Sequence, residues 1–185
     1  MIDTPGYGDC TDLTATFQKI VESVDRRFRH HRSVLPTHEL HGMDKLVHCV
    51  FYFIAPHRLK LVDIAFMKEI HTKVPIIPII AKSDTMTSAE KKEFKEWVQQ
   101  KLQEEEIKIF QFDPATIDEM SRQAEVAMGP PWAVMATKDT TIEDGEVKAL
   151  RIYDWGAADA ANPQHSDLPP PLPPPSPCTR RPPST

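Results

Sequence analysis

With 185 residues, 40% of them hydrophobic and 26% charged, the chain has room for one domain with a sizeable core and a tail. A formal net charge of −5 argues against a general nucleic-acid binder. No apolar run approaches the eighteen or so residues of a membrane span. The three cysteines, at 10, 49 and 178, are odd in number and far apart. They suggest neither a metal site nor a disulfide framework, and they fit a reducing compartment. The first residues, Met1-Ile2-Asp3-Thr4-Pro5-Gly6, have neither the basic nor the apolar region of a signal peptide, so a cytoplasmic location is expected.

Along the chain, residues 3–10 (DTPGYGDC) read as a loop, because two glycines and a proline interrupt any regular element. Leu13, Phe17, Ile20, Val24 and Phe28 recur at spacings of three and four, which predicts a helix over 11–32 with a basic end at 26–32. Residues 33–44 read as a connection. Val47–Ala55 (VHCVFYFIA) and Val74–Ala81 (VPIIPIIA) read as strands buried on both faces, as in the middle of a parallel sheet. Pro75 and Pro78 sit awkwardly in an inner strand. Leu61–His71 supplies an amphipathic helix between the two strands, which makes a β-α-β unit with a right-handed crossover. A longer helix is expected at 88–105, opened by a capping box of Thr87 and Glu90. Ile107–Phe112 alternates like a strand, 115–128 reads as helical, and 133–137 as a further strand. Glu143–Glu146 reads as the turn of a hairpin that resumes through Arg151 and Tyr153. Nine of the eighteen prolines fall in the last seventeen residues, which cannot pack as a domain.

Two short motifs carry chemistry, Asp3-Thr4-Pro5-Gly6 and Ala81-Lys82-Ser83-Asp84. Each alone is also an ordinary solvated turn. Their placement is more specific, because Asp84 follows a buried strand at the end where open α/β sheets bind ligands. A carboxylate offers two acceptors that match the adjacent N1–H and N2–H₂ donors of guanine. The aliphatic stem of Lys82 can lie along a base plane. An Asp in the first motif can hold Mg²⁺ through water, and its Gly amide can bond a γ-phosphate.

DTPGYGD, the long stretch from VHCVFYFIAPH to IIPIIAKSDTMT, and the later IYDWG followed by ANPQH resemble the septin family of GTP-binding proteins over about residues 2–167. The resemblance implies an α/β fold of the P-loop GTPase-like, septin-type G domain, a three-layer sandwich. It would occupy 1–167 as an N-terminally truncated domain, with a disordered Pro-rich tail over 168–185. It further implies GTP or GDP and Mg²⁺ as ligands, and filaments built with other septin subunits, hence a cytoskeletal place at filaments or a division site. Carried over by position, Asp84 would read guanine, with Lys82 flanking it. Arg151 would lie over the base or ribose, and Ala136 would stand where the family has a Gly. Asp3 and Gly6 belong to the phosphate and Mg²⁺ side. His57, Glu90 and Trp155 match a contact across the nucleotide face. Other readings of these residues stay open: a loop histidine for His57, the capping box alone for Glu90, a core indole for Trp155, and for Arg151 a strand arginine paired with an exposed acid.

The chain departs from the family pattern in having no G-x-x-x-x-G-K-[ST]; its six glycines, at 6, 8, 42, 129, 145 and 156, cannot make that loop. Without it nothing cradles the β- and γ-phosphates, so weak nucleotide binding and an exposed sheet edge are expected. GTP hydrolysis by this chain alone is not expected. The turn at Pro56-His57 is two residues short, and LPPPLPPPSP stands in place of a terminal helix. A second reading is an interaction module that binds no nucleotide. Its Pro-rich tail would be a polyproline II ligand for an SH3- or profilin-type partner. A membrane-surface role for the basic cluster at 26–32 is disfavoured by the net acidity.

Overall fold

A computed structural model describes residues 2–4, 13–34, 46–143 and 146–167. In chain order the elements are α1 (Leu13–Val34), β1 (Val50–Ile54), α2 (Leu61–Ile70) and β2 (Ile76–Ala81), then α3 (Ser88–Glu104) and α4 (Pro114–Ala124). They are followed by β3 (Trp132–Val134), β4 (Thr140–Glu143), β5 (Glu146–Tyr153) and β6 (Gly156–Asp159). The first three strands form a parallel sheet in the order β1-β2-β3. The last three form an antiparallel meander in the order β4-β5-β6. The helical periodicities place α1, α2 and α3 within two residues of their expected bounds.

The main buried cluster lies on one face of the parallel sheet. Register partners share a face, so Ile54, Ile80 and Ala133 turn the same way. They meet Phe66, Met67 and Ile70 of α2, Phe94, Val98 and Leu102 of α3, and Val24 of α1 in one buried cluster. Phe66 is stacked on Tyr52 at 5.5 Å between centroids and lies 5.0 Å from Phe17 of α1. Asp63 is buried because it has two donors to serve. The Tyr52 hydroxyl donates to Oδ1 at 2.8 Å, and the Lys60 backbone N–H donates to Oδ2 at 2.8 Å, which ties the start of α2 to β1.

Three expectations need correction. Burial on both faces holds for β2 and fails for β1, where Phe51 and Phe53 are 52% and 62% exposed while Tyr52 and Ile54 are buried. Among the described residues β1 is one edge of the sheet, and its face opposite the core, with Phe51 and Phe53, is apolar and exposed. Ile107–Phe112 forms no strand: only Ile109 bridges to Ile76, with the Phe110 N–H donating to the Ile76 carbonyl at 2.8 Å. The meander also gains a strand, β6, that the sequence reading had not separated. The proline difficulty resolves through the same bridge. Pro75 precedes the strand, and its carbonyl accepts from Val50. Pro78 turns its nitrogen to the side on which Ile76 meets Phe110, before pairing with β3 begins at Ile79. No ladder donor is needed there.

The last described residues strap the meander onto the parallel sheet. Asp167 is buried, its Oδ2 accepts from the Ala133 N–H at 2.8 Å and from Lys95 Nζ at 2.7 Å, and its own N–H donates to the Ala133 carbonyl. Lys91 Nζ donates to the Gln164 carbonyl at 2.7 Å, and the Ser83 hydroxyl to the His165 carbonyl at 2.6 Å. Burial holds the Lys91 ammonium below its ordinary range, with Asp167 opposing the shift. The prolines from 169 onward lie outside the described residues, as do Pro5 and Gly6 of the first motif.

Candidate functional site

At the C-terminal end of β2 the chain turns sharply. Lys82 adopts the left-handed conformation (φ 53°, ψ 46°), and Ser83–Thr85 form a single 3-10 turn closed by the Thr85 N–H on the Lys82 carbonyl. The turn leaves Lys82 exposed and carries Asp84 inward, with no side-chain exposure. Asp84 there meets β5, 67 residues further on. Arg151 Nη1 donates to Oδ2 at 2.8 Å, and the Tyr153 hydroxyl donates to the same oxygen. Arg151 Nη2 reaches the Ala136 carbonyl at 2.7 Å, so one guanidinium bridges the turn after β2 and the loop after β3. The other carboxylate oxygen, Oδ1, is buried and has no partner.

An unpaired buried carboxylate oxygen costs free energy, and a donor arriving from outside would offset that cost. The electrostatics keep the group ionised. Burial pushes the Asp84 carboxyl up, but the hydrogen bonds from Tyr153, Arg151 and its own backbone N–H, with the charge of Arg151, outweigh it and leave the carboxyl below its ordinary value. The site therefore offers a fixed anionic acceptor, to which N–H donors are the complementary chemistry.

The structure brings Lys82, Asp84, Ala136 and Arg151 together. Asp84 being buried, the reading of Arg151 as paired with an exposed acid does not hold. Trp155 is 71% exposed and stacks on Tyr153 with centroids 4.7 Å apart and planes 10° from parallel, which excludes a core indole. Glu90 makes the expected capping box, accepting from the Thr87 N–H at 2.8 Å while the Glu90 N–H donates to the Thr87 hydroxyl oxygen at 3.3 Å. The Thr87 backbone and hydroxyl bonds hold the Glu90 carboxyl below its ordinary range. His57 itself is exposed, at φ 59°. Asp3 is exposed. No three His, Cys, Asp or Glu side chains among the described residues gather as metal ligands. Tyr153 is the residue that sequence reasoning missed. Its signal was present, since a tyrosine two positions after Arg151 on a strand shares its face.

A family model described as Septin matches residues 1–169. Mouse Septin-2 (Mus musculus) is 37% identical over 177 residues, covering 91% of this chain and 48% of that protein. Septin-2B of Xenopus tropicalis is 38% identical over 177 residues, with 91% and 49% covered. The chain thus spans about half the length of the curated relatives it matches. Among solved structures, the septin GTPase domain from Chlamydomonas reinhardtii superposes with a TM-score of 0.74 at 28% identity, covering 89% of this chain and 63% of that one. The α/β architecture with its parallel sheet is that of a septin-type, P-loop GTPase-like domain. By family model, by relatives and by fold, this chain belongs to the septin family.

Proposed function

We propose that the chain is a guanine-nucleotide-binding, filament-type septin subunit whose base site is the Asp84 cluster. The observation that carries the reading is the buried, partnerless Oδ1 of Asp84 at the C-terminal end of a parallel strand. Asp84 reads the N–H donors of guanine, Lys82 flanks the base, and Arg151 and the Ala136 backbone border it. Asp3 and Gly6 serve the phosphate and Mg²⁺ side. The domain extends over 1–167, with 168–185 a separate Pro-rich tail. The 185 residues contain no phosphate-cradling G-x-x-x-x-G-K-[ST], so base recognition stands without the loop amides that give a triphosphate site most of its affinity. Titration of a fluorescent GTP analogue with Mg²⁺ at low salt is expected to give binding weaker than micromolar, with guanine preferred over adenine. Submicromolar binding would overturn the first expectation, and equal binding of ATP the second.

The same face supports association with other septin subunits, and hence a cytoskeletal location. Trp155 is exposed beside the Asp84 cluster, stacked on Tyr153, and His57 and Glu90 are both exposed. One self-complementary face closes into a dimer, whereas a linear polymer needs a second. Sedimentation of the soluble chain is expected to show a dimer that Trp155→Ala returns to monomer. Filaments from this chain alone, or a dimer indifferent to Trp155→Ala, would place the contact on another surface.

A further inference from the structure

Asp84 shares out its two oxygens unequally. Oδ2 accepts from both Arg151 and Tyr153, whereas Oδ1 accepts from nothing, although the side chain has no exposure. The two donors on Oδ2 are not equivalent. Arg151 is also held by the Ala136 carbonyl at 2.7 Å and has further N–H groups to spend, so it can leave Oδ2 and stay anchored. The Tyr153 hydroxyl has one proton, and its ring is backed by the parallel face of Trp155. A rigid phenol braced by a second ring fixes an acceptor's orientation better than a long arginine stem can.

We infer that Tyr153 is a positioning residue for base recognition: its hydroxyl clamps Oδ2, sets the plane of the Asp84 carboxylate, and leaves Oδ1 aimed as the first acceptor for a base donor. A two-donor edge, such as N1–H with N2–H₂, then needs both oxygens, and Arg151 is the donor that yields room on Oδ2. A one-donor edge, such as that of hypoxanthine, is satisfied by Oδ1 alone. Tyr153 thereby governs discrimination between bases that differ by one amino group. The inference rests on the reading of Asp84 as the base-reading carboxylate.

The test compares GTP with ITP on the full 185-residue chain, its Tyr153→Phe variant and its Asp84→Asn variant, by ligand-observed NMR that reads weak binding. It is paired with ¹³C-carboxyl titration of Asp84 in the ligand-free protein. Tyr153→Phe is expected to shrink the GTP-over-ITP ratio on the order of fivefold. It should move the Asp84 titration upward, with Arg151 then the remaining donor facing the carboxylate, and by linkage lower the thermal midpoint at neutral pH while leaving it unchanged under acid, where the carboxyl is protonated. A merely structural tyrosine would scale both nucleotides together and leave the Asp84 titration in place. If Asp84→Asn abolishes the preference while Tyr153→Phe retains it, the positioning role is wrong and the base site stands. If the parent shows no preference, the base-reading assignment fails. The carboxyl titration then decides the clamp by itself, an Asp84 pKa that does not move in Tyr153→Phe overturning it.

Discussion

Ile80→Ala is expected to lower the unfolding free energy by about 2–5 kcal/mol. Ile80 lies in β2, the middle strand, has no exposed surface, and sits between Ile54 and Ala133 in the register. It belongs to the cluster that joins α1, α2 and α3 to the sheet, so truncation opens a cavity that three helices would have to move to fill. Urea unfolding followed by circular dichroism measures the loss as a lower midpoint at unchanged slope. The internal comparison is Phe53→Thr, on the same sheet but on its open face, 62% exposed. That change is expected to stay within about 0.5 kcal/mol. Equal losses at the two sites would show that the Phe51 and Phe53 face is covered in solution, contrary to the exposure described above.

Asp84→Asn is expected to weaken guanine-nucleotide binding by about 1–3 kcal/mol and to leave adenine nucleotides unaffected. An amide keeps one acceptor and turns the other position into a donor, which faces the donors of the base or those of Arg151 and Tyr153. A second, ligand-free consequence follows from the ionisation of the carboxyl. Its folded-state pKa lies below the ordinary carboxylate value, so its ion pair stabilises the protein above the unfolded-state pKa. That contribution is lost as the pH falls through the lower, folded-state value. The parent should therefore lose stability on acidification below about pH 4, and Asp84→Asn should lose less over the same window. Competition titrations with GTP and ATP, and melting midpoints across acidic pH, measure the two effects. Identical acid limbs would mean that the Arg151–Asp84 pair does not form in solution.

Much of this molecule was legible in its residues. Spacings of three and four marked α1, α2 and α3, because a helix must put its apolar side chains on one face to be buried. Thr87 and Glu90 announced the start of α3, because a capping box is chemistry within four residues. Asp84 stood out because it follows an apolar strand immediately, and the resemblance of its motif to the septin pattern named the family. All of these signals are local.

What tertiary structure alone decided depends on which distant segments meet. The apolar run of β1 cannot say whether one face or two will be covered; the helices pack on the face of Tyr52 and Ile54, which are buried, and leave Phe51 and Phe53 open. The alternation of Ile107–Phe112 is that of a strand, but only Ile109 finds a partner, so the ladder never forms. The sharing of Asp84 between Arg151 and Tyr153 spans 67 and 69 residues and arises because the meander is strapped beside β2 through Asp167 and His165. Periodicity records which way a side chain points along its own element; the partner it meets is set by how the elements pack, and no local spacing encodes that.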